Sequence, residues 1–395
     1  MRFLRRLISY ILLYTVDVLV KLLAGHIKPT NQVLLIRLDA IGDFVIWLNS
    51  AKIFRNLYPN SNITLCVSSA NFQLAKVLPF WDEVIEVDLK RFNASFIYRY
   101  RLVLQIRQLA FVTVIQPTFS RVFLHGDALV RASGAKFRIG SVGDRTNIGS
   151  FLKRISDAWY TKLVPAASGP MMELERNAEF ISNLSGQVVN ASLPVLPNMG
   201  ELPFRLALNA SYFVVFPGAS WTGRQWPTSK FAETVATIYR RTGWIPVLCG
   251  GPGDKVVCQD VIDQSGVVCA INFCGLTTLT ELTEVLRAAK LLISNETSAV
   301  HIAVAVFTPT VCILGGGHFG RFMPYPAGLD RGLSAIAVHK MPCYNCNWHC
   351  TQPHSASDPV PCITNVTVAN VLGRVEMVLA NANNHKIELC KKQKA

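Results

Sequence analysis

Asp39 and Asp43 stand on either side of Gly42 in the short stretch 39–43, directly after an apolar run over residues 31–36. A carboxylate where a strand turns into a helix can cap that helix. Facing a crevice, it can also take a proton from a substrate hydroxyl as a general base.

Three later stretches carry a different chemistry. Residues 216–227 read FPGASWTGRQWP. Gly218 there permits a close approach of backbone to a ligand, Ser220 and Thr222 offer hydroxyls, and Arg224 offers a planar fork that matches phosphate oxygens. An ordinary surface loop with an exposed arginine would look the same in sequence. Residues 294–301 read SNETSAVH. A strand running into a helix through Glu296, Thr297 and Ser298 presents free N–H groups to an anion, and the Glu296 carboxylate suits sugar or ribose hydroxyls. His301 falls in the first turns of that apolar helix, a place that a structural histidine also fills. Residues 315–321 hold glycine at 315, 316, 317 and 320, a backbone able to wrap a ligand or to be a mobile loop. A fourth cluster, Cys343, Cys346, Cys350 and Cys362 with His349, reads C-x2-C-x3-C-x11-C. Structural metal, reduced buried thiols and disulfides all fit it.

The elements that would position these residues alternate in type. Strands are expected over 31–36, 63–67, 83–87 and 112–116, with a short one at 137–139, and helical sequence lies at 44–57. After a Pro-, Gly- and Asn-bearing stretch at 186–210, a second series predicts strands at 212–216, 244–249, 291–294 and 310–314. Its helices are expected at 229–241, 279–289 and 299–306, with a last helix from 366 to 379. Strand–helix alternation of this kind predicts an α/β fold with parallel, doubly wound sheets. Two such series predict two Rossmann-like domains facing a cleft: 29–190, then 205–365, with a helix and basic tail at 366–395. The G-x-G-x-x-G fingerprint is missing from the first strand–helix turn, which disfavours a dinucleotide-dependent oxidoreductase.

The chain has 395 residues, enough for two domains. Half are hydrophobic and 16% charged, which excludes a disordered chain. The net charge of +14 points to an anionic partner. Its cations are dispersed except for Lys391, Lys392 and Lys394, which fits an acidic membrane surface or a phosphorylated substrate and argues against nucleic acid. Eleven cysteines without a regular framework argue against a secreted disulfide scaffold. Most of the seven outside the cluster are expected to be small buried hydrophobes.

Residues 1–28 are apolar with interruptions. No small-residue cleavage site follows, and Asp17 and Lys21 break the run, so neither a signal peptide nor a spanning helix is favoured. On a helix, Arg2, Arg5, Arg6, Ser9, Asp17 and Lys21 share one side, and Leu4, Leu7, Ile8, Ile11, Leu12, Val18, Leu19 and Leu22 the other. That predicts an amphipathic helix lying on an anionic membrane or packed on the protein itself.

Taken together, residues 33–59 (VLLIRLDAIGDFVIWLNSAKIFRNLYP), FPGASWTGRQWPTSKFAETVATI, VLCGGPGD, the stretch from FCGLTTLTELTEVL to TVCILGG, and the cysteine segment resemble the family 9 glycosyltransferases, best known as lipopolysaccharide heptosyltransferases. The resemblance spans about residues 31–380, and it is thinnest over 88–200. It implies a GT-B fold whose first domain takes the acceptor and whose second takes the nucleotide sugar. It also implies an inverting, metal-independent transfer at the cytoplasmic face of the inner membrane. Asp43, in the Gly-Asp pair with Gly42 on the acceptor side, matches the family's catalytic carboxylate. Arg224 stands where a lysine is common, and His301 matches the family histidine. Glu296 and Ser298 replace the usual aspartate and glycine. The implied partners are a nucleoside-diphosphate sugar, ADP-heptose by family default, and a lipid-linked glycan. A sugar-nucleotide epimerase of the same architecture and a non-catalytic sugar-nucleotide binder are the rival readings.

Overall fold

The computed structural model describes residues 12–20, 30–355 and 357–392, with side chains through residue 384. Contacts divide the chain into two units, one of residues 1–169 and 175–191 and one of residues 170–174 and 192–395.

The first unit runs α1 (residues 12–20), β1 (Thr30–Arg37), α2 (Ile41–Leu57), β2 (Asn62–Ser68), α3 (Ser69–Lys76), β3 (Glu83–Val87), α4 (Leu89–Ala94), α5 (Phe96–Gln108), β4 (Phe111–Gln116), α6 (Gly126–Ser133), β5 (Phe137–Ser141), α7 (Ser150–Asp157), β6 (Lys162–Val164) and α8 (Glu173–Ser185). The second runs β7 (Tyr212–Phe216), α9 (Thr228–Thr242), β8 (Ile245–Leu248), α10 (Lys255–Ser265), β9 (Ile271–Asn272), α11 (Leu279–Ala288), β10 (Leu292–Asn295), α12 (Ser298–Ala305), β11 (Thr310–Ile313), β12 (Ser334–Ala337), α13 (Pro361–Thr364) and α14 (Val368–Lys392).

Each unit holds one six-stranded sheet whose strand pairs are all parallel. The orders are β3-β2-β1-β4-β5-β6 and β12-β11-β10-β7-β8-β9. Counted from the first strand of its own unit, each is the 3-2-1-4-5-6 order of a doubly wound dinucleotide-type fold. Central strands covered on both faces must be apolar along their length, and β7, YFVVF, is buried throughout. The order reverses between β1 and β4 in one unit and between β7 and β10 in the other. At such a point the two neighbouring connections leave toward opposite faces, so a crevice opens at the strands' carboxyl ends.

Several elements differ from expectation. The second helix begins at Ile41 rather than 44, so the 39–43 turn is short and Asp43 lies inside the helix. The strands β6, β9 and β12 were not expected; all three are short sheet edges. The last helix continues to Lys392 and is no separate tail, since Val371, Val375 and Val378 enter the core of the second unit. The Lys391, Lys392 and Lys394 side chains lie outside the described residues. Cys269 is exposed, unlike Cys66, Cys249, Cys258, Cys274 and Cys312, which are buried; Cys390 lies outside the described side chains.

The amphipathic helix expected over residues 1–28 is described only for 12–20; residues 1–11 and 21–29, with Arg2, Arg5, Arg6 and Lys21, lie outside the described residues. Within α1, Asp17 does not share a wet face with those cations. It is buried, and its carboxylate accepts two hydrogen bonds at 2.7 Å from Arg99 of α5 and one at 2.9 Å from Arg131 of α6. Leu13 joins Phe123, Leu124 and Ile148 in a small core. Burying a carboxylate requires partners of this quality, and both arginines arrive from distant sequence.

Candidate functional site

The carboxyl end of β7 and that of β10 bring residues 217–224 and 295–298 together. Arg224 reaches across with one guanidinium nitrogen, Nη2, which donates to the Glu296 backbone carbonyl at 2.8 Å and to its carboxylate at 3.0 Å. Nη1 donates to Ser220 Oγ at 3.4 Å. The guanidinium also lies over the Trp348 ring, 4.9 Å from its centroid, a cation–π contact that fixes its plane. Asn295 holds the two loops in register. Its amide donates to the Pro217 carbonyl at 2.7 Å and accepts from Trp226 N–H at 3.1 Å.

Glu296 is buried, and burial pushes its carboxyl up to about 7, although Arg224 and Arg321 pull the other way. One of its oxygens, Oε1, and the Arg224 Nε have no hydrogen-bonding partner among the described residues. Unsatisfied buried polar atoms are costly and rare. Together, the two supply an acceptor and a donor beside the start of α12, where Thr297 and Ser298 are half-buried and no side chain caps the helix. A ligand with phosphate oxygens and hydroxyls matches that set. Ser220 and Thr222 are exposed on the same loop.

His301 is placed differently. It is buried, its Nδ1 lies 2.9 Å from the Tyr325 hydroxyl, and burial with the charge of Arg224 pushes it down to about 3. A depression of this size favours the neutral imidazole, which packs against Tyr325 and Phe322. Gly218 also has another explanation than ligand approach: a Cβ there would strike the Asp254 carboxylate. The 315–321 loop does not stand open either. Gly315 and Gly317 press on Trp348 and Gly316 on Tyr344, and the Gly316 and Gly317 carbonyls accept from Asn345 and Asn347 N–H at 2.7 and 3.0 Å. The cysteine segment thus buttresses this loop and sets Trp348 beneath Arg224. Among the described residues no three His, Cys, Asp or Glu side chains form a metal-holding group. Cys362 Sγ instead accepts from Gly316 N–H at 3.4 Å.

In the first unit, the carboxyl ends of β1 and β4 carry Asp39 and Thr118. Asp39 pairs with buried Arg37 at 2.7 Å and accepts from Thr118 Oγ1 at 3.0 Å, and its carbonyl takes Asn71 at 3.0 Å. It is a structural anchor. Gly42 and Asp43 occupy the first turn of α2, where a carboxylate complements the partial positive charge of the helix start. Asp43 is half-buried, and its carbonyl accepts from Arg37 Nη2 at 3.3 Å. A cavity of about 150 Å³ opens beside Asp39, lined by Gln116, Thr118, His125 and Gly126 among others. Burial and the Arg99 charge hold His125 below its usual range. Reading the sequence alone missed Gln116, Thr118, His125, Asn295 and Trp348. The first three could have been found from a strand order placing β4 beside β1.

A sequence model described as Glycosyltransferase family 9 (heptosyltransferase) matches residues 127–347, more than half of the chain. Lipopolysaccharide heptosyltransferase 3 of Escherichia coli strain K12 is 28% identical over 138 residues, 35% of this chain and 40% of that protein. The chain thus spans less than half the length of that curated relative. Among solved structures, the E. coli ADP-heptose lps heptosyltransferase II has a TM-score of 0.64 at 15% identity, covering 89% of this chain and 99% of that one. The E. coli heptosyltransferase WaaC with ADP reaches 0.66 at 14% identity, covering 87% and 99%. At these identities the structural likeness establishes the fold.

Proposed function

Because the chain belongs to glycosyltransferase family 9 (heptosyltransferase), we propose that it moves a sugar from a nucleoside-diphosphate sugar onto a lipid-linked glycan, with inversion at the anomeric carbon and without a metal. The family default is heptose from ADP-heptose onto a lipopolysaccharide core, at the cytoplasmic face of the inner membrane. The observation that carries the reading is the Arg224–Glu296 pair at the β7/β10 reversal, with its unsatisfied donor and acceptor beside an uncapped helix start.

In this reaction the acceptor hydroxyl attacks the anomeric carbon, its proton passes to the Asp43 carboxylate, and the sugar–phosphate bond breaks to release a nucleoside diphosphate. Arg224 and the α12 start meet the charge that develops on the leaving phosphate. Glu296, Thr297 and Ser298 hold hydroxyls of the sugar or ribose, and Ser220 and Thr222 line the phosphate side. The first unit, with Gly42, Asp43 and the cavity beside Asp39, takes the acceptor.

A thermal-shift screen tests the donor assignment. A ligand that binds only the folded state stabilises it by about 2.7 kcal/mol at a hundred times its Kd. One nucleoside-diphosphate sugar will raise the melting temperature by several degrees; no response to any nucleotide at millimolar concentration would refute the assignment.

The raised Glu296 gives the binding a pH dependence. Below about 7 the carboxyl is protonated and leaves Arg224 to the phosphate; above it, the carboxylate competes for Arg224 and repels the anion. Diphosphate binding is therefore expected to take up a proton and to weaken by up to about tenfold per pH unit above neutrality. Calorimetry in buffers of different ionisation heat measures the proton, and Glu296→Gln abolishes its uptake.

A further inference from the structure

The outward stripe of α1 is apolar. Its buried side is Leu13, Asp17 and Val20, and its exposed side is Leu12, Thr15 and Leu19, with Leu12 and Leu19 46% and 48% exposed. The Asp17–Arg99 pair clamps α1 onto α5. The beginning of α5 is also exposed and apolar: Phe96 at 46%, Ile97 at 67% and Tyr100 at 37%. On its other side α1 meets α7, where Leu152 and Ile155 join the Leu13 cluster and Tyr14 stacks on Trp159. There Phe151 stands 76% exposed.

The exposed charge carried by α4 and α5 has one sign. Residues 89–108 contain no acidic residue, and Lys90, Arg91 and Arg101 are exposed there, while Arg99 is buried against Asp17. In the sequence, residues 1–28 add Arg2, Arg5, Arg6, Lys21 and Lys28, which lie outside the described residues, and their one acidic residue, Asp17, is buried. A second copy of the chain would set like charges against each other. Large apolar side chains set among cations match instead the boundary between anionic headgroups and acyl chains.

We propose that the exposed face of α1 and the start of α5 together form a docking surface for an anionic lipid bilayer, with Leu12, Leu19, Phe96 and Ile97 entering the headgroup region. The buried Asp17 is then a positioning residue, which turns the leucines of α1 outward and holds them beside α5. The proposal deepens the reading of the acceptor as lipid-linked, and it stands on observations separate from the donor site.

The test is co-sedimentation of the full chain with vesicles of phosphatidylethanolamine and phosphatidylglycerol, against vesicles of phosphatidylcholine, without substrates. The protein will bind the anionic vesicles and be released at about 0.5 M NaCl, where surface charges are screened. Leu12→Glu with Leu19→Glu, and separately Phe96→Ser with Ile97→Glu, will each lower affinity at least about tenfold. All four side chains are exposed, so the thermal shift produced by a nucleoside diphosphate should be unchanged in both variants and reports an intact donor site. Failure of the parent protein to bind anionic vesicles overturns the proposal, as does equal binding to phosphatidylcholine or parent-like binding by both variants. Vesicle binding without any nucleotide response would refute the glycosyltransfer reading and leave the docking surface standing.

Discussion

Asp43→Asn will lower turnover roughly 100- to 10,000-fold, the range for loss of a general base, and leave the Kd for the nucleoside diphosphate unchanged. Asparagine keeps the shape and the hydrogen-bonding oxygen but cannot receive a proton. Loss of the charge from the first turn of α2 itself costs about 0.3–1 kcal/mol, so the melting curve is measured beside the rate. A large drop in kcat with an undisturbed melting curve thus separates a chemical role from a structural one. The same substitution at Asp39 should behave in the opposite way. Asp39 is tied to Arg37, Thr118 and Asn71, so its loss should show first in stability. Parent-like kcat in a purified Asp43→Asn protein would remove the base assignment.

Arg224→Ala should be nearly as severe and should act on binding as well as on rate. The guanidinium lies against Glu296 and over Trp348, and in the proposed mechanism its removal takes away stabilisation of the departing diphosphate. Loss of one preorganised donor of this kind costs about 100- to 1,000-fold in kcat. The nucleoside diphosphate Kd should rise as well, since the interaction exists in the ground state too. Glu296, already raised to about 7, loses its counter-charge and is pushed higher. The variant therefore holds a neutral buried acid at neutral pH rather than a stranded carboxylate, which limits the damage to folding. Arg224→Lys restores the charge without the fork that spans Glu296 and Ser220, so it should recover part of the rate. Unaltered affinity in Arg224→Ala, read by calorimetry, would contradict the phosphate role.

Much of the fold was legible because buried parallel strands have no polar face to hide. The apolar runs at β1, β7, β10 and β11 mark themselves, and the residues singled out after them do lie at the carboxyl ends of those strands. The three strands that escaped notice are two to four residues long and lie at sheet edges, too short for a periodic signal. Asp17 was misplaced for a non-local reason. Helical spacing groups it with the N-terminal arginines, but its true partners, Arg99 and Arg131, lie 82 and 114 residues away. Likewise, Arg224 and Glu296 each stand out in sequence, while their pairing across 72 residues appears only in three dimensions. The cysteine spacing drew attention to metal chemistry and away from Trp348, the residue of that segment that reaches the arginine. In sequence, Gly218 suggests close approach to a ligand and the 315–321 glycines suggest a ligand wrap or a mobile loop. In the fold, an added Cβ at 218 would meet Asp254, and at 315–317 Trp348, Ile363 and Tyr344, contacts with no local sequence signal.

The most direct test of the central claim is the product itself. Purified protein is supplied with the nucleotide sugar selected by thermal shift and with a lipid-linked core glycan, and the glycan is analysed by mass spectrometry and NMR. The account predicts a gain of one sugar residue on the glycan, linked with the anomeric configuration opposite to that of the donor, in step with release of nucleoside diphosphate. An isomerised sugar formed without acceptor, or a transferred sugar of retained configuration, would contradict it.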